Sequence, residues 1–311
     1  MDHALLVSLR RRLQTVVVAG VLVALAGFGF NACLSFNDPL QEIDPALAFT
    51  PLAPSESHTV TRRHILESFG AYGCASCPDA ESRLAPYLDT TSALYRSDLI
   101  VVNYHVAFPS TLIDPWITPA TQARNDGFGF TSLPQVKLDG SNTPFGIREK
   151  DVRFAQGEYD SLIQRLRLGE TQTWLDFAID TVASGYDSAA RRLEVRFTVF
   201  NRSTAARGAL SFRVLAVKNK PVTIPTLPNH PWEVIVAQTT VSDTAGAALT
   251  LAGMPALTAK SWVTRLAVPL ETERTPAPAT PENPSDYAVI VFAQDGSGIV
   301  QGVTVWRFSP K

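Results

Sequence analysis

Two cysteines, Cys74 and Cys77, stand where a predicted strand turns directly into a predicted helix. The segment from Arg63 to Phe69 has the apolar centre of a short buried strand, and Pro78 to Leu88 repeats apolar residues at helical spacing. Pro78 suits the first turn of a helix, because a backbone N–H there would have no intrahelical partner. The junction therefore predicts an α/β fold that holds two thiols at a helix N-terminus.

The position of these thiols predicts redox chemistry. Free backbone N–H groups and the helix macrodipole favour the thiolate form of Cys74, which would make it the attacking nucleophile. Cys77, one turn later, would be the resolving thiol. Two other interpretations stay open: a static disulfide, and half of a zinc site whose remaining ligands would come from His58, His64 and His105.

Strands and helices alternate through residues 59–169. After the first strand and helix, the predicted elements are a central strand from Leu99 to His105, a helix at Pro119 to Asn125, a strand at Gln135 to Leu138 closed by the turn Asp139-Gly140, and a helix from about Tyr159 that Gly169 stops. The β-α-β-α-β-α order predicts an α/β layer domain.

After Gly169 the pattern changes to strands alone. Leu175 to Ile179 and Leu193 to Phe200 alternate apolar and polar residues, and further strand candidates follow up to Phe308. Thr275 to Pro284 is predicted to be a long loop between strands. Residues 170–311 are therefore predicted to form an all-β domain, a β-sandwich, that folds independently of the first domain.

The N-terminus has the pattern of an export signal. Three arginines at positions 10–12 precede an uncharged, largely apolar run from Val16 to Phe30, and Ala32-Cys33 follows. Residues 1–33 are predicted to be a lipoprotein-type signal peptide with Cys33 as the lipidated residue; ordinary secretory cleavage and an uncleaved anchor are the alternatives. Residues 34–58, with Pro39, Pro45, Pro51 and Pro54, are predicted to be a tether.

Composition narrows the functional class. The chain has 311 residues, of which 45% are hydrophobic and 18% charged, and its net charge is −2. These values argue against general disorder and against a protein with many membrane spans. The absence of a basic block beyond the N-terminus argues against a nucleic-acid partner. If Cys33 carries lipid, the mature chain keeps Cys74 and Cys77, which have only each other as intramolecular partners.

The sequence resembles the thioredoxin-like outer-membrane lipoproteins related to outer membrane protein twenty-eight. The residues that carry the resemblance are Glu67 to Pro78, the strand ending at His105, Leu133-Pro134 with Leu138-Asp139-Gly140, and in the second half Asn229-His230, Asp286 to Gln294 and Val300-Gln301-Gly302. Tyr72 departs from the pattern, because it lies one residue further from the first cysteine than the tryptophan of typical thioredoxins.

The resemblance implies a thioredoxin-like domain at 59–169 and roles for two further residues. Pro134 is expected to follow a cis peptide bond and to shape a substrate groove beside the sulfurs. Glu67 is expected to be the buried acid that takes a proton from the resolving thiol, although a solvent-facing position at the strand end is as compatible with its spacing. His105 fits a structural role better than a catalytic one, and Arg124 and Asp126 are predicted to be helix-surface charges.

The predicted function is thiol–disulfide exchange with protein thiols and disulfides of the cell envelope. Cys74, Cys77, Pro134 and Glu67 form the predicted catalytic set, and neither a cofactor nor a metal is expected. The lipid at Cys33 would anchor the chain, and the resemblance implies the outer membrane. The alternative is a non-catalytic binding lipoprotein of the outer membrane or surface, in which the disulfide is structural and the β-sandwich carries recognition.

Overall fold

The structure is a computed structural model. It describes residues 41–42, 49–71, 74, 76–107, 116–130, 132–140, 171–172, 175–187, 192–218, 238–243, 249–267, 287–298 and 300–307. The predicted signal peptide with Cys33, the predicted helix that ends before Gly169 and the predicted loop at Thr275 to Pro284 lie outside these residues. Within them, no helix is both long enough and apolar enough to cross a membrane.

Strands and helices alternate in the first segment, as predicted. Its elements are strand β3 (Val60–Thr61), β4 (His64–Gly70), helix α1 (Cys77–Leu88), β5 (Leu99–His105), helix α2 (Pro119–Phe128) and β6 (Gln135–Leu138). Strand β4 pairs in parallel with β5 and antiparallel with β6. The turn after β6 has positive φ at Asp139 and Gly140, which accounts for the Asp-Gly pair there.

Two short pieces of the predicted tether are attached to a sheet. Strands β1 (Gln41–Glu42) and β2 (Thr50–Pro51) both pair with the later strand β14 (Thr258–Ala267), and a short 3-10 helix spans Pro54–Glu56. The partly buried Phe49 packs against the main core cluster. The chain is therefore fixed at these residues, which its irregular, Pro-rich pattern does not indicate.

The second segment consists of strands in the part that the structure describes, as its alternating pattern predicts. The strands are β7 (Thr171–Gln172), β8 (Leu175–Ile179), β9 (Gly185–Asp187), β10 (Arg192–Asn201), β11 (Leu210–Lys218), β12 (Gln238–Asp243), β13 (Leu249–Leu251), β14, β15 (Tyr287–Asp295) and β16 (Val300–Arg307). In β10 the apolar residues Leu193 to Val199 at every second position are buried, as expected for a strand with one face on a core.

Three sheets organise these strands. The six-stranded sheet has the order β1-β14-β10-β8, with β2 and β9 on its sides; the eight-stranded sheet has the order β16-β15-β11-β12-β5-β4-β6, with β13 beside β11; and β3 pairs with β7. The two large sheets pack face to face, since the ring of Phe212 lies 4.9 Å from that of Trp262. This packing of strands from the second segment fits the predicted β-sandwich.

The eight-stranded sheet contains strands from both segments. Strand β12 pairs in parallel with β5 through Gln238↔Val102 and Thr239↔Asn103, so the strands of the second segment continue the sheet of the first. Residues 39–311 form one compact unit. The predicted boundary after Gly169 lies outside the described residues and stays a prediction.

The eight-stranded sheet separates two apolar clusters. Leu66 of β4 and Val101 of β5 lie on one face, in a cluster that also contains Cys74 and Cys77; we call this the disulfide face. Ile65 and Phe69, with neighbours Phe128 and Phe130, lie on the opposite face. Because successive residues of a strand point to opposite faces, these clusters assign the side chains of β4 and β5 to one face or the other.

Candidate functional site

The cysteine pair lies between β4 and α1, as predicted. Cys74 and Cys77 form a disulfide with an S–S distance of 2.10 Å and a Cα–Cα distance of 5.4 Å. Cys77 is the first residue of α1, and Cys74 precedes the N-cap residue Ser76. A strand that ends at Gly70 and a helix that begins at Cys77 hold both sulfurs beyond the carboxyl end of strand β4.

Backbone contacts fix the disulfide to the start of the helix. The N–H of Cys74 donates to the carbonyl of Ala71 over 3.0 Å, and the N–H of Cys77 donates to the carbonyl of Cys74 over 3.2 Å. The side chain of Ser76 does not cap the helix. The N-terminal end of α1, with its partial positive charge, is therefore adjacent to the sulfurs, which favours a thiolate when the disulfide is opened.

Burial does not distinguish the two sulfurs. Cys74 is 3% exposed and Cys77 1% exposed. Exposure therefore does not single out Cys74 as the more accessible sulfur. What separates them is their position on the chain, because Cys77 belongs to the first turn of α1 and Cys74 to the loop before it.

The peptide bond before Pro134 is cis, which confirms that expectation. Pro134 is buried and immediately precedes β6, the antiparallel neighbour of β4. Val136 of β6 belongs to the cluster that contains both cysteines, and the partly buried Leu133 packs against that cluster as well. The proline segment therefore borders the disulfide face, while a role in shaping a groove stays a prediction.

Glu67 lies on the other face of the sheet. It shares strand parity with Ile65 and Phe69, whose cluster is separate from that of Cys74 and Cys77. Its carboxylate is fully buried and accepts two hydrogen bonds from Arg124, Nε to Oε1 over 2.8 Å and the second guanidinium nitrogen to Oε2 over 2.7 Å. The structure does not bring Glu67 to the sulfurs, nor does it place this carboxylate in solvent.

Arg124 is not a helix-surface charge, so that prediction is wrong. Its side chain is buried, lies 4.4 Å from the centre of the Phe128 ring, and donates a third hydrogen bond to the side-chain oxygen of Gln294 over 3.1 Å. Gln294 belongs to β15, so Arg124 connects the first segment to the second. A lone arginine in a short polar helix gives no sign of partners 57 and 170 residues away.

The three candidate histidines lie on different parts of the chain: His58 precedes β3, His64 begins β4 and His105 ends β5. His58 is exposed, whereas His64 is buried with Nδ1 2.7 Å from Oδ2 of Asp139. His105 is buried at the end of β5, in register with Gly70. Among the described residues, no three side chains of the His, Cys, Asp and Glu types come together as a metal site, and the two cysteines are bonded to each other.

Asp139 is the centre of a buried polar cluster, whereas the sequence predicts only a turn at this residue. Its carboxylate accepts from Arg62 over 2.8 Å and from the N–H of Ile65 over 3.0 Å, in addition to its contact with His64. Its carbonyl accepts from the N–H of Val300, which begins β16. The Asp-Gly pair marks the turn, but these partners come from distant segments and leave no local signal.

A polar cleft of about 360 Å³ lies elsewhere on the molecule. Residues 58–63, 175–177 and 302–304 line it, and neither cysteine nor Pro134 is among them. The cleft is therefore distinct from the predicted substrate groove.

No family model matches the sequence, and no curated protein matches it. Among solved structures the chain is similar to HBP35 of Porphyromonas gingivalis, with a TM-score of 0.58 and 12% identity over 80% of this chain and 76% of that chain. It is also similar to a domain of the outer membrane lipoprotein Omp28 from Porphyromonas gingivalis, with a TM-score of 0.27 and 8% identity over 45% of this chain and 91% of that chain. The TM-score of the Omp28 domain is too low to support a conclusion about this chain. The similarity to HBP35 shows a similar fold and nothing more.

Proposed function

We propose that this chain is an exported envelope lipoprotein whose 59–169 segment is a thioredoxin-like domain that exchanges disulfides with protein partners. The observation that carries the proposal is the Cys74–Cys77 disulfide at the start of α1, in the connection that follows strand β4. The parallel β4–β5 pair, the antiparallel β6 and the cis bond before Pro134 support the thioredoxin-like assignment.

The exchange would proceed in two balanced steps. The Cys74 thiolate attacks one sulfur of a partner disulfide, the partner's S–S bond breaks, and its other sulfur leaves with the electron pair and takes a proton. Cys77, as a thiolate, then attacks the Cys74 sulfur, which re-forms the Cys74–Cys77 bond and releases the second partner thiol. The partner disulfide is reduced by two electrons and the protein dithiol is oxidised; the reverse sequence oxidises a partner.

Replacing one cysteine at a time tests this order of attack. The Cys77→Ser variant should accumulate mixed disulfides with envelope proteins, because the resolving attack is lost, and the Cys74→Ser variant should trap none. Non-reducing gel electrophoresis of envelope extracts measures both, and each variant is the matched control of the other. Equal trapping by the two variants would contradict the assignment of Cys74 as nucleophile.

A non-catalytic role is the second candidate, and one observation favours it. Both sulfurs are almost fully buried, as in a disulfide that only stabilises a loop. In that case the chain would be a binding lipoprotein of the outer membrane or surface. Absence of any mixed disulfide from either variant, together with slow and equal alkylation of both thiols in the reduced protein, would favour this function over exchange.

Anchoring through Cys33 is part of the proposal and has its own test. The basic residues at 10–12, the apolar run after them and the small Ala32 before Cys33 support it. Mass spectrometry of protein extracted from membranes should find Cys33 as a modified N-terminal residue, without the preceding 32 positions. A mature terminus at any other residue would contradict lipidation.

A further inference from the structure

Asn103 carries a buried amide without a hydrogen-bond partner. Its side chain is 3% exposed, and neither its oxygen nor its nitrogen is paired within the described part of the chain. Val102 and Tyr104, the neighbours of Asn103 in β5, are fully buried. Because buried amides are nearly always hydrogen-bonded, an unpaired one in a strand buried along its whole length calls for an explanation.

The amide faces the same side of the sheet as the disulfide. Asn103 shares strand parity with Leu99 and Val101, which belong to the cluster that contains Cys74 and Cys77. Its partner in the parallel register is Ser68 of β4, which is also buried and lies on the disulfide face. Strand β4 leads into the cysteine loop, so Asn103 and Ser68 lie beneath the end of the sheet that carries the sulfurs.

The line of residues paired side by side across the sheet from Ser68, which we call the register row, reaches a buried cation, Lys218. Asn103 pairs with Thr239, and Thr239 pairs with Lys218 of β11. Lys218 lies three strand spacings from Ser68, or about 14 Å, and its ammonium lies 5.6 Å from the Trp116 ring. Lys218 is therefore two strands further from β4 than Asn103 is. Asn103 lies one strand from β4, and its amide nitrogen is a donor without a hydrogen-bond partner among the described residues.

We propose that Asn103 is a positioning residue for the dithiol, an inference that rests on the proposed exchange function. When a partner thiolate attacks Cys74, the Cys74–Cys77 bond breaks and the electron pair goes to the Cys77 sulfur. The amide N–H of Asn103 donates to that buried thiolate and stabilises the ionised Cys77 sulfur in the reduced protein. A second partner thiolate then attacks the partner sulfur of the mixed disulfide and releases Cys74, so that two partner thiols become one disulfide.

Equilibration of the folded protein with reduced and oxidised glutathione tests this role. Removing the amide should make the reduced state less favourable, so the equilibrium constant for reduction of the disulfide should fall about tenfold in Asn103→Val, as expected for loss of a hydrogen bond to a charged group. Asn103→Ala carries the same expectation and avoids added volume if valine does not fit. A merely structural amide would change stability equally in both redox states and leave the equilibrium constant unchanged.

Tyr87→Phe is the matched control. The hydroxyl of Tyr87 is also buried without a hydrogen-bond partner among the described residues, and Tyr87 belongs to the same core cluster, but it lies about 15 Å along α1 from Cys77. The equilibrium constant for disulfide reduction in Tyr87→Phe should stay within about twofold of the wild-type value. An unchanged equilibrium constant for disulfide reduction in the Asn103 variants overturns this inference but leaves the proposed exchange function intact. A wild-type disulfide that resists excess dithiothreitol overturns the proposed exchange function and this inference with it.

Discussion

Arg124 and Arg83 form ion pairs in opposite environments. The side chains of Arg124 and Glu67 are 7% and 0% exposed, whereas those of Arg83 and Asp79 are 30% and 60% exposed. Removing Arg124 takes two charged hydrogen bonds from a fully buried carboxylate, so Arg124→Ala should lower the free energy of unfolding by about 3–5 kcal/mol. Arg83→Ala should cost at most about 1 kcal/mol, because water screens an exposed pair. Urea unfolding of both variants measures the difference.

A double variant separates the buried charge from the lost packing. In Glu67→Leu with Arg124→Leu neither charge of this pair remains, so this protein should recover part of the stability lost by Arg124→Ala; the buried Lys137, opposite Glu67 in the strand register, is present in both variants. Equal losses for Arg124→Ala and Arg83→Ala, or no recovery in the double variant, would show that the pair at Glu67 is not stabilised as its burial implies.

Asp98 gives a pH dependence that can be tested. Burial desolvates its carboxyl and by itself raises the pKa, but the hydrogen bonds and charge of Arg96, with smaller contributions from its own backbone amide and from His64, outweigh this and hold the pKa below its usual 3.8. A lowered folded-state pKa stabilises the protein above the unfolded-state value, and the contribution is lost as pH falls through the folded value.

Wild-type protein should therefore exceed Asp98→Asn in its urea midpoint at pH 7, and the difference should shrink as the pH falls below about 4. Urea titrations at a series of pH values measure it. A difference that stays constant from pH 7 down to about pH 2.5 would contradict the assignment of this contribution to the ionised carboxyl.

The sequence predicted only those parts of the candidate site that depend on residues close together in the chain. The CxxC between a strand and a helix and the proline before β6 are short-range patterns, and the structure contains both. The role of Glu67 was different, because a shift of one residue along a strand moves the side chain to the other face. Nothing in the sequence near Glu67 decides between the faces, since β4 is buried on both.

At the level of elements, the end of α2 offers a matched pair of glycines. Gly127 is inside the helix and Gly129 follows it with φ of 69°, and a Cβ at either position meets nothing within 4 Å. Gly127→Ala should stabilise the protein by about 0.5–1 kcal/mol, because alanine costs less entropy in a helix. Gly129→Ala should destabilise it by about 1–2 kcal/mol, because a left-handed backbone is strained for alanine.

Thermal unfolding of the two variants measures these opposite signs. Since neither added methyl group has a contact, packing cannot account for a difference between them. The same sign for both substitutions would contradict the assignment of Gly129 as the left-handed residue, whose N–H closes the last turn onto the carbonyls of Asn125 and Asp126.

Element types were predictable because each depends on local periodicity. Strand β10, for example, alternates polar and apolar residues from Arg192 to Val199, and its buried positions follow that alternation. Strand order was not predictable in this way. The parallel contact of β12 with β5 joins residues more than 130 positions apart, Thr239 and Asn103, and either strand alone has the pattern of any buried or edge strand.

At the level of the whole molecule, the two segments share structure across several contacts. The eight-stranded sheet runs through both, Arg124 donates to Gln294, and the N–H of Val300 donates to the carbonyl of Asp139. Gly140, with φ of 71°, lies so close to the backbone carbonyl of Gly298 that a Cβ there would overlap it. The change of periodicity near Gly169 therefore separates a segment with helices from one whose described residues form strands and their connections, while the packing continues across it.

This continuity leads to a prediction about fragments. A fragment of residues 170–311 would lack β5 beside β12 and the Arg124 partner of Gln294, so it should unfold at a lower urea concentration than the full chain. Adding the 59–169 fragment should restore part of the lost stability, because both partners of each contact are then present. Circular dichroism during urea titration measures each fragment and the mixture, with the full chain as the reference. If residues 170–311 alone keep the midpoint of the full chain, the shared sheet contributes nothing and the two segments are independent domains, as the periodicity alone predicts.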